Sequence, residues 1–246
     1  GDGVRAVVTT RAGGVSSGPY SSLNLSYQVG DDPAAVAENR ARVAALAGGA
    51  LAQGRQGHAA TVERVTEPPA GEPRPADGQA TAQTGVAPIV LVADCQPVAV
   101  AGDGAVAMLH CGWRGLAGGV LAEGVRALRE LGAAGPLAAA IGPGAGPCCY
   151  EVGEEVHAEF ASLDARRGDN LDLPKIARAQ LQAAGVEAAH DTGLCTMCAD
   201  PGLFFSHRRD GGVTGRQAGV VWRRESEPRV IWRSGAVRRF GRRELD

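Results

Sequence analysis

Two histidines and one cysteine in this sequence are of the types expected in a metal site: His58, Cys95 and His110. Imidazole and thiolate suit zinc, and three protein ligands leave a fourth tetrahedral position open for water or substrate. The stretch between Cys95 and His110 is long enough for a strand, a turn and a second strand that returns to the same sheet end. Because this is not a zinc-finger spacing, a buried thiol with two hydrogen-bonded histidines stays open as the alternative.

Two other kinds of chemistry fit the same residues. Cys95 and His110 can be read as a nucleophile and its base, without a metal. Two histidines and a cysteine with a weak axial methionine form a blue-copper centre, and Met108 lies close before His110. A multicopper oxidase needs further histidines, and the sequence has only five. Zinc is therefore the first expectation for a metal and copper the second.

The remaining cysteines form a weaker pattern. Cys195 and Cys198 make a CxxC, which can be half of a zinc site or a redox pair, but no second CxxC completes it. The neighbours Cys148 and Cys149 are not expected to bind one ion together easily, so loop or core packing is predicted for all four. Cys111 alternates away from His110 along the expected strand and is predicted to pack in the core.

Short apolar strands must position Cys95 and His110. The pattern predicts strands over 89–93, 97–101 and 105–110, with a turn at 102–104. A helix follows over about 116–131, and His58 stands just before another predicted strand over 61–66.

The rest of the chain mixes helices and strands without strict alternation. A helix over 32–48 has clear ends, since Asp32 can cap it, Pro33 fits its first turn and Gly48 stops it. Further helices are predicted over 152–163 and 172–185, and further strands over 4–9, 137–141, 186–190 and 217–222. The Pro-rich stretch 67–78 is interpreted as a surface loop, not a domain boundary. The pattern favours an α+β fold with mixed sheets.

Composition excludes several classes of protein. The 246 residues are 44% hydrophobic and 21% charged, which is ordinary for a globular protein with a sizeable core. A net charge of −2 gives no overall attraction to nucleic acid, and the basic residues over 208–243 are interpreted as a solvated face. No apolar run has the length of a membrane span and no signal peptide is recognisable, so a cytoplasmic protein is expected. Nothing in the sequence requires more than a monomer.

Six blocks of sequence, in order along the chain, resemble those of the YfiH family. They are TTRAGGVSSGPYSSLNL, VGDDPAAVAENR, VADCQPVAV, HCGWRGL, IGPGAGPCCYEVGEEV and CTMCADPGLFFSHRRDGGVTGR. Members have been labelled laccase-domain or polyphenol oxidase proteins and are regarded as purine nucleoside phosphorylases related to the human protein FAMIN. The resemblance implies one catalytic domain over 1–246, with sheets packed together and helices outside, distantly similar to bacterial toxin deamidases.

The resemblance also implies a zinc site. The family's ligands lie in a Q-V-H-G block, in A-D-C and in H-x-G-W-R-G, and these correspond to His58, Cys95 and His110. The first block departs from the family, because His58 stands between Gly57 and Ala59. The loop around this ligand is therefore expected to differ.

The implied reaction is phosphorolysis, in which a purine nucleoside and phosphate give free base and ribose 1-phosphate. Adenosine deamination and methylthioadenosine cleavage are implied as side activities. Phosphate favours bidentate arginine, which selects Arg11, Arg114 and Arg208 from the family blocks. Asp94 is expected to line the same site and to orient a histidine.

Three other functions remain open on the sequence. The first is a copper-dependent polyphenol oxidase, and the second is a cysteine hydrolase or amidase acting on cell-wall precursors. The third is a binding module with a structural zinc ion and no catalytic activity.

Overall fold

The computed structural model describes residues 3–68 and 70–224. The strands are β1 Val4–Val8, β2 Ala50–Ala52, β3 Val62–Arg64, β4 Gly78–Thr81, β5 Val86–Val92, β6 Gln96–Asp103, β7 Ala105–Cys111, β8 Ala134–Ile141, β9 Arg166–Arg167, β10 Asn170–Leu171, β11 Val186–Asp191 and β12 Gln217–Arg223. The helices are α1 Pro33–Ala47, α2 Trp113–Ala117, α3 Val120–Glu130, α4 Glu154–Glu159 and α5 Leu173–Ala183. Among the described helices, none has the length and apolar character needed to cross a bilayer. The part of the basic stretch beyond residue 224 lies outside the described residues.

Two mixed sheets form the centre of the fold. One has four strands in the order β1-β12-β5-β2, and the other has six in the order β11-β8-β6-β7-β4-β3. Most neighbours are antiparallel, whereas β2/β5, β3/β4 and β8/β11 are parallel. The prediction of an α+β fold with mixed sheets flanked by helices is therefore confirmed.

The layers follow from the alternation of side chains along the strands. Apolar residues of both sheets meet between them: Val90, Val92, Ala99, Val106, Met108 and Val221. Helix α1 covers the outer face of the four-stranded sheet, while α3 and α5 cover the outer face of the six-stranded sheet. Along β7, Leu109 and Cys111 belong to the helix-covered core, so His110 projects between the sheets at the strand's end.

The predicted helix ends agree with the structure in α1 and in α5, which Asp172 caps and Gly185 follows, and disagree in the other two predicted helices. Asp32 accepts a hydrogen bond from the Ala34 amide, and Gly48 ends the helix with φ 67°. The helix predicted over about 116–131 is instead α2 and α3, because Gly119 interrupts it with φ 86°. The helix predicted over 152–163 shortens to α4 followed by a 3₁₀ turn. Strands β2 and β4 were not predicted, because ALA and GQAT carry almost no β-branched residues.

Candidate functional site

The residues His58, Cys95 and His110 meet at one end of the six-stranded sheet and form a three-donor site. Their donor atoms all lie within 4.8 Å of one another. The β6/β7 register pairs Gln96 with Cys111, which brings Cys95 back beside the end of β7 as the spacing predicted. In a tetrahedral zinc site the donors are about 3.3–3.8 Å apart. The residues present therefore fit a borderline-soft metal ion, which small side-chain shifts would enclose.

Gly112 lies where the donors converge. A Cβ at this position would lie 2.9 Å from Cys95 Sγ and 3.1 Å from His58 Nδ1. Its φ of −78° is available to any residue, so the requirement for glycine is one of space. The contact also shows that the Cys95 sulphur and the His58 Nδ1 face the same point.

Asp77, which no sequence pattern singled out, bonds the His110 ring and the backbone of the His58 loop. Its Oδ1 lies 2.8 Å from His110 Nδ1 and accepts from the His58 amide at 2.9 Å. Its Oδ2 accepts from the amides of Gly57 and Ala59. A proton on His110 Nδ1 leaves Nε2 free as a ligand. These bonds also hold His58 at φ 58°, a conformation that few non-glycine residues adopt.

The charges of the three-donor site support one another. Burial alone would raise the pKa of the Cys95 thiol, but the charge and hydrogen bond of His110 and a hydrogen bond from His58 lower it to about 6. Burial would lower the pKa of His110, but the Cys95 thiolate and Asp77 raise it to about 9. Burial would also raise the pKa of Asp77, but His110 and the amides of its loop lower it. Cys95 is thus a thiolate at neutral pH, which is the form that binds metal.

Among the described residues, Asp94 makes no hydrogen bond to a histidine, and Asp77 instead bonds the His110 ring. The Asp94 side chain is buried and accepts from Thr196 Oγ1 at 2.7 Å and from the Arg208 amide at 2.8 Å. Its carbonyl accepts from the Ala145 amide at 2.6 Å. Asp94 has φ 89°, so this unusual backbone conformation is fixed by bonds from three separate segments. The expectation that Asp94 orients a histidine was wrong.

A cavity of about 770 Å³ opens in front of the three-donor site. This volume is typical of a small-molecule site. Of the predicted substrate-binding residues, the cavity is lined by Asp94, Arg114 and Arg208. It is also lined by residues that the sequence analysis did not select, among them Arg55, Tyr150, His207 and Arg216.

The cavity arginines are held in two ways. The Arg208 guanidinium stacks over Tyr150 at 5.0 Å and donates to the Glu151 carbonyl at 2.6 Å. The Arg114 guanidinium stacks over Trp113 at 4.3 Å. Arg216 is half-buried. Burial lowers its pKa, and the nearby charges of Asp94 and Cys95, which raise it, offset only part of this effect. Because Arg216 ends the last of the six family blocks, that block was the available signal for it.

Arg11 lies in a different environment from the other arginines. Its guanidinium donates to the carbonyls of Ser21 and Pro201 and stacks over the buried Phe205 ring at 4.5 Å. Arg11 does not line the cavity. Its assignment to phosphate stays a prediction.

The residues needed for a copper oxidase are differently placed. The Met108 sulphur lies 2.9 Å from where a Cβ at Gly219 would be, inside the core between the sheets. The other histidines, His157, His190 and His207, join no donor cluster in the part of the chain that the structure describes. The described residues therefore supply no second cluster that contains histidine, which a multicopper oxidase would need.

The other four cysteines, expected to pack in loops or in the core, form a four-thiol cluster instead: Cys148, Cys149, Cys195 and Cys198. Loop packing is correct for their backbone, but their sulphur atoms lie together and two of the four side chains are exposed. The cause is topological, since the loops after the parallel neighbours β8 and β11 leave the same sheet edge. Cys111, in contrast, is buried in the core as predicted.

The family and its relatives were identified by comparison with known proteins. The family described as multi-copper polyphenol oxidoreductase laccase matches residues 5–224. A purine nucleoside phosphorylase of Corynebacterium glutamicum is 42% identical over 240 residues, covering 89% of this chain and 94% of that protein. A purine nucleoside phosphorylase of Pseudomonas aeruginosa is 40% identical over 232 residues, covering 89% of this chain and 93% of that protein.

Solved structures agree with these relatives. The crystal structure of YlmD from Geobacillus stearothermophilus matches with a TM-score of 0.83 and 36% identity, covering 91% of this chain and 93% of that one. The crystal structure of a Bacillus licheniformis hypothetical protein named YfiH matches with a TM-score of 0.79 and 30% identity, covering 89% and 92%. The chain therefore belongs to the YfiH family of laccase-domain proteins, as its six sequence blocks predicted.

Proposed function

We propose that this chain is a zinc-dependent purine nucleoside phosphorylase, which converts a purine nucleoside and phosphate to free base and ribose 1-phosphate. One observation carries the proposal: two histidines and a thiolate converge at the wall of a cavity that also presents several arginines. The donor set suits zinc, and the volume suits a nucleoside. The names of the relatives from Corynebacterium glutamicum and Pseudomonas aeruginosa support the same reaction.

The reaction sets separate requirements for the cavity residues. A phosphate oxygen forms a bond to C1′ of the ribose, while the bond from C1′ to the base nitrogen breaks and the base leaves with its electron pair. Arg208 and Arg216 are the proposed phosphate ligands, since each guanidinium is held in place and can present paired donors to phosphate oxygens. Arg114, whose guanidinium stacks over Trp113, is proposed to close the cavity with that ring.

The residues of the three-donor site are proposed to hold zinc at the cavity wall. When bound, zinc would supply a Lewis acid beside the substrate. Asp77 is proposed to keep the His110 imidazole in its orientation and the backbone of the His58 loop in place while substrate enters and leaves. Adenosine deamination and methylthioadenosine cleavage are proposed as side activities of the same cavity, because both substrates carry a purine nucleoside.

We also propose that residues 1–246 form a single catalytic domain, which the family match over 5–224 supports. All six cysteines are free thiols, which fits a reducing compartment such as the cytoplasm.

The test is a phosphate-dependent assay of free base released from inosine and adenosine, with and without a chelator. We expect activity to require phosphate and to fall on chelation, and Cys95→Ala to lose both metal and activity. Cys111→Ala is the matched control, because its thiol is buried in the core away from the cavity. Full activity in a metal-free Cys95→Ala protein would overturn the assignment.

The same preparations separate the other functions. A polyphenol oxidase predicts a coloured, copper-loaded protein, whereas zinc predicts a colourless one. A cysteine hydrolase predicts activity that survives chelation and is abolished by thiol alkylation.

A further inference from the structure

We propose that the four-thiol cluster is a second metal centre, a tetrathiolate site for zinc formed by Cys148, Cys149, Cys195 and Cys198. This site has no residue in common with the three-donor site and does not depend on the proposed function. The chemistry is that of a closed structural site, since four thiolates complete the tetrahedral coordination of zinc.

The spacing of the sulphur atoms fits this coordination. All four lie within 4.8 Å of one another, and the Cys148 and Cys198 sulphurs are 3.0 Å apart. A zinc–sulphur distance of about 2.3 Å places tetrahedral ligands about 3.8 Å from each other, which lies within this range. A covalent bond between Cys148 and Cys198 would need about 2.05 Å. Small rotamer changes would therefore allow all four sulphurs to coordinate one central ion.

The Cys195 sulphur accepts a hydrogen bond from the Gly146 amide at 3.3 Å. A backbone donor of this kind stabilises a negatively charged sulphur more than a neutral thiol.

Two loops are joined by backbone bonds at the cluster. Gly144 and Cys195 form a parallel bridge, the Thr196 amide donates to the Gly144 carbonyl, and the Gly144 amide donates to the Leu194 carbonyl. The loop after β8 and the loop after β11 are thus held together before any ion binds. Preorganisation of this kind is what distinguishes a built site from thiols that approach by chance.

Exposure argues against a packing role for these cysteines. The side chains of Cys148 and Cys198 are exposed, so they do not act as small apolar groups in a core. An ion at the cluster would cross-link the loop after β8 and the loop after β11, both of which hydrogen-bond to Asp94. Thr196, next to Cys195, bonds the Asp94 side chain, and Tyr150, next to Cys149, lines the cavity.

The test measures zinc in Cys95→Ser, which lacks the thiolate of the three-donor site. The full chain is purified anaerobically with reductant, incubated with zinc alone, dialysed and analysed for zinc per chain and for zinc–sulphur coordination by X-ray absorption. We expect one zinc ion per chain, bound by four sulphurs at about 2.3 Å. Zinc addition should also protect four thiols from alkylation. Two results would overturn the proposal. One is that no zinc is retained, and the other is that Cys148 and Cys198 form a disulfide even in buffer that contains reductant.

A substitution series in the same background separates ligation from packing. Cys198→Ala is expected to lose the zinc ion, whereas Cys198→His is expected to retain it, because imidazole is also a zinc ligand. Cys111→Ala is the matched control, and it should retain the ion because its thiol lies outside both clusters. If Cys198→Ala binds zinc as tightly as its parent, the cluster is not a metal centre.

Discussion

The three-donor site and the four-thiol cluster each bring together side chains of the types that bind metal ions, but the two clusters lie in different surroundings. The three-donor site combines a buried histidine, a half-buried cysteine and an exposed histidine, and a buried carboxylate fixes its geometry. The four-thiol cluster contains no histidine and no carboxylate, and backbone amides are its nearest donors. The first opens onto a cavity, whereas the second joins two loops.

The two sites also differ in the pKa values of their thiols. In the three-donor site, His110 lowers the pKa of Cys95, so a thiolate exists before metal binds. In the four-thiol cluster, burial and then hydrogen bonds with Cys198 and Cys195 raise the pKa of Cys148 to about 11. The first site is therefore charged in advance, as a site that exchanges ligands requires. In the second, burial alone would raise the pKa of Cys195 but the Gly146 amide helps to lower it, whereas Cys148 keeps its proton until an ion displaces it.

The largest expected effect is on thiol titration in the metal-free protein. Cys95 should ionise with a midpoint of about pH 6, whereas Cys148 should remain protonated until about pH 11. Since a lowered pKa means that the thiolate persists to lower pH, alkylation of Cys95 should rise through pH 6 and level off near neutrality. Alkylation rates of each cysteine, followed by mass spectrometry against pH, measure both midpoints.

His110→Gln is the informative variant for this titration. It removes the cationic partner and leaves burial in place, so the Cys95 midpoint should move up. An unchanged midpoint in His110→Gln, or equal midpoints for Cys95 and Cys148, would show that the two sites do not differ in charge.

The second effect concerns Asp77. The four-thiol cluster includes no carboxylate in an equivalent position. Asp77→Asn places an amide against the backbone donors of the His58 loop and disturbs the His110 ring. We expect metal affinity at the three-donor site to fall about 10–100-fold. Competition with a chromophoric chelator measures this affinity, and metal bound by the four-thiol cluster should be unaffected. Equal loss at both sites would mean general unfolding instead.

The third effect concerns the space at Gly112. Gly112→Ala introduces a methyl group 2.9 Å from Cys95 Sγ, which forces the donors apart and should weaken metal binding about tenfold. Gly57→Ala is the matched control, because a Cβ on Gly57 in the same site meets no atom within 4 Å. Competition with the same chromophoric chelator measures the metal affinity of both variants. If both variants bind metal like the parent, the donors converge elsewhere.

The smallest effect is the coupling between the two clusters. They share no ligand, and they are connected through Thr196 and Ala145, both of which bond Asp94. Cys148→Ser/Cys198→Ser should therefore change metal affinity at the three-donor site by less than about threefold, as expected for independent sites. A tenfold change would show that the four-thiol cluster regulates the cavity.

The local parts of the fold were predictable because they depend on neighbouring residues. Helix α1 is bounded by Asp32 and Gly48, whose capping requirements are short-range. The β6/β7 hairpin follows from two apolar runs separated by a glycine turn. The single helix predicted over about 116–131 was wrong because Gly119 adopts a left-handed conformation, which amphipathic periodicity does not reveal.

The sequence by itself determined the residue types of the three-donor site, the hairpin that joins Cys95 to His110 and the family. It did not determine that Asp77, at the end of a Pro-rich stretch, holds both histidines, because that contact depends on β4 pairing with β7. Nor did it determine the four-thiol cluster, whose members lie on two loops separated by two helices and three strands, from α4 to β11. Only the parallel pairing of β8 and β11 brings those loops to one edge. Tertiary pairing decides such contacts, since a strand's own pattern specifies which face is buried and not which neighbour it meets.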